Sequence, residues 1–117
     1  MVNKDNKIKR LSPTLRLKKR FLKVKIISKK KFDFKELSEE LPKKLIYYVG
    51  VFEYSKAGTW LLRERFDFKN QTLVIKVSTK LKDKIIAALD LIENVNREKI
   101  EFKVTRVSGT LKGLEKN

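Results

Sequence analysis

Arg16, Lys18, Lys19, Arg20, Lys23 and Lys25 fall within ten consecutive positions, and no acid stands among them. Guanidinium and ammonium groups at this density suit one chemistry: they neutralise phosphates and release the counterions condensed there. The surrounding stretch, Leu11 to Phe32, holds nine Lys and Arg and no Asp or Glu. Residues 1–31 hold 13 basic side chains against Asp5 alone, which is +12 of the formal net charge of +16. Residues 32–117 hold 17 basic side chains against 13 acids, only +4. Charge this lopsided opposes compaction and predicts a polyanionic partner. The competing reading, solvated surface lysines, fits scattered charges better than one dense segment.

Other chemistries are poorly supplied. The chain has no Cys and no His. Disulfides, zinc sites of the Cys/His kind, thiol nucleophiles and histidine bases are therefore excluded. A hydrolase would need a Ser/Lys pair, paired carboxylates or a metal. Glu36, Glu39 and Glu40 share one predicted helix but alternate with lysines as a solvated face does. No catalytic residue, no metal ligand and no chain-bound cofactor is expected. No apolar run approaches the ~20 residues that span a bilayer, and no apolar signal core follows the basic N-terminus. These features predict a cytoplasmic protein with no membrane contact.

The elements that must position the basic residues follow from periodicity. Residues 1–10 read as a flexible basic leader, 11–112 as one domain and 113–117 as a short tail. Ser12-Pro13 reads as a helix cap with proline at the first helical position. A first strand is predicted over Lys19 to Ser28, with Leu22, Val24 and Ile26 inward and Lys23 and Lys25 outward. Asp33 with Glu36 predicts a helix start, and Phe34, Leu37, Leu41, Leu45 and Tyr48 give its stripe. Pro42 should kink or split that helix, and Gly50 should end it. Residues 51–58 carry the chain back to a second strand over Thr59 to Phe68 and a third over Thr72 to Ser78. A second helix runs from Thr79 to about Asn94, and a fourth strand from about Lys99 to Val107.

The order β-α-β-β-α-β predicts an α/β (α+β) fold of the ferredoxin-like, RRM-like kind. In it a four-stranded antiparallel sheet carries helices on one face. Lys23, Lys25, Arg63, Arg65, Lys76 and Lys103 would make the open face basic. The third strand, TLVIKVS, lacks the aromatics on which such domains stack bases. Phe21 either stacks on a base or is buried at a protein contact. Tyr47, Tyr48, Phe52, Tyr54 and Trp60 are either core or a docking patch for another protein.

Three segments carry a resemblance. Leu11-Ser12-Pro13-Thr14-Leu15-Arg16-Leu17-Lys18-Lys19-Arg20-Phe21 is similar to a motif L-P-P-T-L-R-E-K-K-R-Y. Ser55 to Leu61 is similar to K-A-x-P-W-L, and Val107-Ser108-Gly109-Thr110-Leu111 to V-S-G-T-I. In order and spacing these resemble the ribonuclease P protein component 2 family, the Pop-five type of archaea and eukaryotes. Leu17 replaces the family's Glu, and Thr59 replaces the Pro before Trp. The chain ends without the longer basic tail of some members, which suggests a reduced C-terminal element.

The resemblance implies a non-catalytic subunit of the ribonuclease P endoribonuclease, which matures the 5′ end of precursor tRNA. The RNA subunit would perform the cleavage with its own Mg²⁺. The implied partners are ribonuclease P RNA, precursor tRNA within the holoenzyme, ribonuclease P protein component 3, and a second copy of this chain within a heterotetramer. Arg16, Lys18, Lys19, Arg20, Lys23 and Lys25 are the RNA-binding candidates. Thr14, Leu15, Trp60, Ser108, Gly109 and Thr110 are structural or docking candidates, with Gly109 expected to allow positive φ or a close backbone approach. The alternative is a general RNA- or ribosome-associated binding module of the same fold.

Overall fold

β1, Lys19–Ile27, is the organising strand of a computed structural model that describes residues 18–115. The leader, the Ser12-Pro13 turn, Thr14, Leu15 and Arg16 lie outside the described residues. Strict alternation buries Leu22, Val24 and Ile26 against the helices and turns Phe21, Lys23 and Lys25 to the opposite side. The chain continues through α1 (Phe34–Val49), α2 (Val51–Ala57), β2 (Trp60–Leu61), β3 (Thr72–Ser78), α3 (Lys82–Leu91), a small hairpin of β4 (Asn94–Val95) and β5 (Glu98–Lys99), β6 (Glu101–Ser108) and α4 (Leu111–Leu114). The main sheet has the order β2-β3-β1-β6 and is antiparallel throughout.

The core lies between the sheet and the helices. Leu37, Leu41 and Leu45 of α1 and Ile85, Ala88 and Leu89 of α3 meet Leu22, Val24, Ile26, Leu73, Ile75, Val77 and Phe102 of the strands. α1 starts as its sequence requires: the Asp33 carboxylate accepts from the Glu36 N–H at 2.8 Å. It ends at Gly50, whose φ of 96° few other residues tolerate. The loops beside α1 are held by Gln71, whose buried amide accepts from the Phe32 N–H (2.8 Å) and donates to the Phe32 carbonyl (3.0 Å).

Several expectations need correction. Pro42 neither splits nor ends α1, which is continuous; the buried leucines before and after it hold both halves on the sheet. Residues 51–58 are not a plain connector, because α2 starts directly after Gly50 and closes at Gly58 in the left-handed region. The second strand shrinks to Trp60–Leu61. Arg63–Arg65 then forms a 3-10 turn, so Arg63 and Arg65 are not strand residues. The second helix stops at Leu91, and the next residues make the β4–β5 hairpin.

Helices are also not confined to one face. α4 packs on the far side of the sheet, where Leu114 is 4% exposed among Leu62, Val74, Phe21 and Leu111. Residues 113–115 therefore belong to a packed element rather than a tail. Thr110 caps this turn by accepting from the Gly113 N–H at 3.0 Å.

Candidate nucleic-acid interface

The basic side chains gather on the sheet face opposite α1 and α3. Lys23 lies directly across from Arg106, and Lys25 from Lys103, on β6. On the other flank of β1, Phe21 lies across from Lys76 of β3. Directly opposed residues of an antiparallel pair share a face, so Lys23, Lys25, Lys76, Lys103 and Arg106 stand together.

Arg106 reaches this face through a register shift. Lys23 pairs with Arg106 but Val24 pairs with Val104, which leaves Thr105 as an extra residue in β6. Such a bulge re-aims the side chains beyond it. Simple alternation from Phe102 and Val104 points Arg106 inward, which is why sequence reading missed it. The inserted Thr105 is not idle: its hydroxyl donates to the Lys23 carbonyl at 3.2 Å.

Like charges directly opposed across a sheet destabilise it. Among the described residues, none of the five cations forms an ion pair with a carboxylate. Lys25 instead donates to the Asn70 carbonyl at 2.6 Å, and Arg106 Nε to the Gly113 carbonyl at 2.9 Å. Glu36 pairs with Lys30 and Glu53 with Lys84 away from this face, while Glu115, in the cleft beside Lys23, pairs with Arg65. Asp67 is occupied by its own turn: hydrogen bonds from the Asn70 N–H and side chain hold its carboxyl below the usual range. The face thus offers positive charge with little internal compensation.

The remaining candidates lie around one end of this face. The Lys18 carbonyl is anchored by the Thr79 N–H (2.8 Å) and hydroxyl (3.0 Å), while its side chain is exposed. Lys19 is exposed, and its ammonium lies over Gly58. Arg20 is half-buried, donates from Nη1 to the Lys19 carbonyl and lies beside Gly109, so the first and third motifs meet. Gly109 itself lacks the expected positive φ, and its neighbour is this side chain at ordinary contact distance rather than backbone. The closely approached glycine is Gly113, where a Cβ would collide with Ser108 Oγ. Ser108 ends β6 and accepts from the Thr110 N–H at 3.2 Å.

The aromatic cluster divides. Tyr54 packs against the core, and burial pushes its phenol up. Tyr47 and Phe52 are 81% and 71% exposed and, with Val51 and Tyr48, form an apolar surface at the α1–α2 junction. Tyr48 is fixed by donating to the Leu91 carbonyl at 3.2 Å. Trp60 stands on β2, across from Lys76. Among the described residues, no three Asp or Glu side chains come together in a way able to hold a metal ion. Nor is any helix there long and apolar enough to cross a membrane.

Comparison with known proteins now bears on this face. The Rpp14/Pop5 family model matches residues 20–117, which includes the strands that build it apart from Lys19. The chain belongs to the Rpp14/Pop5 family. Among curated members it is 35% identical over 108 residues to ribonuclease P protein component 2 of Pyrococcus furiosus, covering 92% of this chain and 88% of that one. The protein of the same name from Thermococcus gammatolerans is 34% identical, with 94% and 90% covered. That from Archaeoglobus fulgidus is 31% identical, with 90% and 92% covered. A chain in the cryo-EM structure of yeast ribonuclease MRP shares the fold, with a TM-score of 0.55 at 14% identity over 81% of this chain and 76% of that one.

Proposed function

We propose that this Rpp14/Pop5 family member is a non-catalytic subunit of ribonuclease P that binds the catalytic RNA and supports 5′-end maturation of precursor tRNA. The observation that carries this reading is the uncompensated basic face of the sheet, in a chain whose relatives are ribonuclease P components. Its cations neutralise phosphates where RNA helices crowd together, and so lower the Mg²⁺ the RNA needs to hold its fold. Cleavage and the metal that drives it belong to the RNA. The strand order β2-β3-β1-β6, with α1 and α3 as crossing helices, supports a ferredoxin-like topology for the domain.

In this reading Lys18, Lys19, Arg20, Lys23 and Lys25 contact phosphates, joined by Lys76, Lys103 and Arg106. Ribonuclease P protein component 3 and a second copy of this chain are the protein partners. The exposed Tyr47, Val51 and Phe52 surface, where Lys56 Nζ lies 4.3 Å from the Phe52 ring centre, is apolar enough to meet one of them. The complex works in the cytoplasm.

Reconstitution tests the proposal. The full chain, an archaeal ribonuclease P RNA and component 3 are mixed, and precursor tRNA cleavage is followed against Mg²⁺. Omitting this chain should raise the Mg²⁺ needed, and replacing Lys18, Lys19 and Arg20 together by Gln should do so in part. Equal cleavage with and without the chain overturns the function. An unchanged Mg²⁺ requirement in the triple variant overturns those three contacts.

A further inference from the structure

We propose that Trp60 is a stacking platform for one or two unpaired nucleotides of the bound RNA, with Lys76 and Lys19 holding the flanking phosphates. The inference rests on the RNA-binding reading and narrows it to one end of the sheet.

The argument begins with cross-strand register. Trp60 pairs with Lys76, Lys76 with Phe21, and Phe21 with Ser108. These four residues form one row across the sheet on the face turned away from α1 and α3. With strands ~4.8 Å apart, Trp60 and Phe21 stand about 10 Å from each other, and an ammonium rises between them. Trp60 is 65% exposed, although indole is among the larger apolar groups a fold can bury. β2 is only two residues long, so it offers little edge for strand addition that would cover the ring. The Lys19 ammonium lies over Gly58, two positions before Trp60. The surroundings of the indole are thus cationic, and an aromatic ring flanked by cations fits a base with its phosphates.

α4 sets the size of the site. The next row along the sheet contains Val74 and Lys23, and Leu114 and Leu111 of α4 pack there with Val74, Leu62 and Phe21, while Gly113 sits against Ser108. That part of the face cannot accept bases. The strip left over runs from Trp60 to Lys76 and opens toward Lys19. It has room for one or two nucleotides, not for a strand laid across the whole sheet. β3 carries no aromatic side chain, so the stacking surface is supplied by Trp60 of β2, and Phe21 of β1, packed with Leu114, closes its inner end. An apolar protein partner has a separate surface in the exposed Tyr47 and Val51 at the α1–α2 junction.

Trp60 is the sole tryptophan of the chain, so its fluorescence reports the site directly. The full chain is titrated with oligoadenylate of about eight nucleotides and with an RNA duplex of equal charge. Quenching by the single strand but not by the duplex is expected. Stacking contributes about 1–3 kcal/mol per base, so Trp60→Ala should weaken oligoadenylate binding roughly 5- to 150-fold. Trp60→Phe should retain most of the affinity, and duplex binding should change little in either variant. Circular dichroism checks that both variants fold. Equal quenching by both RNAs, or unchanged affinity in Trp60→Ala, overturns the platform while leaving the RNA-binding reading standing. Quenching by component 3 in place of RNA also overturns it and reassigns Trp60 to protein docking. Failure of the chain to bind either RNA overturns both.

Discussion

Lys103 faces Lys25 across β1 and β6, where a carboxylate would suit the isolated sheet better. A cross-strand pair of opposite charge is worth roughly 0.2–1 kcal/mol, and a like-charged pair costs a similar amount. Lys103→Glu should therefore stabilise the free protein by about 0.5–1 kcal/mol, seen as a higher urea midpoint with an unchanged slope. The same substitution should weaken RNA binding and lower its salt dependence by about one phosphate contact or more. Loss of stability, or RNA affinity at the wild-type level, would remove this face from the interface. At this scale the sequence was most legible where alternation is strict: Leu22, Val24 and Ile26 had to be inward and Lys23 and Lys25 outward. It failed at Arg106, because no residue type announces the extra Thr105 that turns it. It failed also at Gly109, where glycine suggested a strained backbone, while the tight approach occurs four residues later at Gly113.

Elements show a different division. α1, β1 and β3 were readable because each carries a full apolar period between recognisable ends. β2 was not: Trp60 and Leu62 alternate with Leu61 and Arg63, so neither face nor length is specified locally. Pairing with β3 decides both: Trp60 and Leu61 find strand partners, the Leu62 N–H bonds to the Val74 carbonyl, and after the 3-10 turn pairing resumes only at the Asp67–Thr72 bridge. α2 had a usable sign, the glycine after Ala57, but the glycine before it drew attention as a stop. The β4–β5 hairpin was missed because its turn residues, Asn96 and Arg97, take positive φ without a glycine. That hairpin is tied to α1 through Glu36, which accepts from Asn96 Nδ2 (3.0 Å) and Lys30 Nζ (2.7 Å). The hydrogen bond from Lys30 is the largest influence and lowers the Glu36 carboxyl below its ordinary range; desolvation opposes it, and the hydrogen bond from Asn96 adds to the lowering. A carboxyl whose folded pKa is depressed adds stability above its unfolded pKa and loses it as pH falls through the folded value. Wild type should thus lose stability below about pH 4.3, and Glu36→Gln should be less stable at neutral pH with a flatter acid limb. Urea midpoints from neutral pH down to about pH 3 would show it; parallel curves for both proteins would mean that Glu36 does not tie α1 to the hairpin.

For the whole molecule the question is how a chain of net charge +16 stays folded without its partner. The described ion pairs, Lys30–Glu36, Lys43–Glu40, Arg65–Glu115, Lys82–Asp83 and Lys84–Glu53, all lie at the surface, where each is worth about 0–1 kcal/mol. Repulsion among the uncompensated cations works against them over longer distances. Salt weakens both effects, but attraction acts at contact while repulsion is summed over many pairs near the Debye length of ~8 Å at physiological ionic strength. Repulsion should therefore be the larger loss, and added NaCl should raise the Tm of the free protein. Relief of about 1 kcal/mol corresponds to roughly 4–8 °C for a domain of this size. RNA should raise Tm further by binding the folded state, and that part should vanish as salt releases the RNA. The two responses have opposite signs: the free protein gains from salt and the complex loses. Lys103→Glu, with two fewer units of net charge, should show a smaller salt gain. A free protein that melts earlier as NaCl is added would mean that its ion pairs, not its excess charge, govern stability, and the need for a polyanionic partner would lose its physical ground.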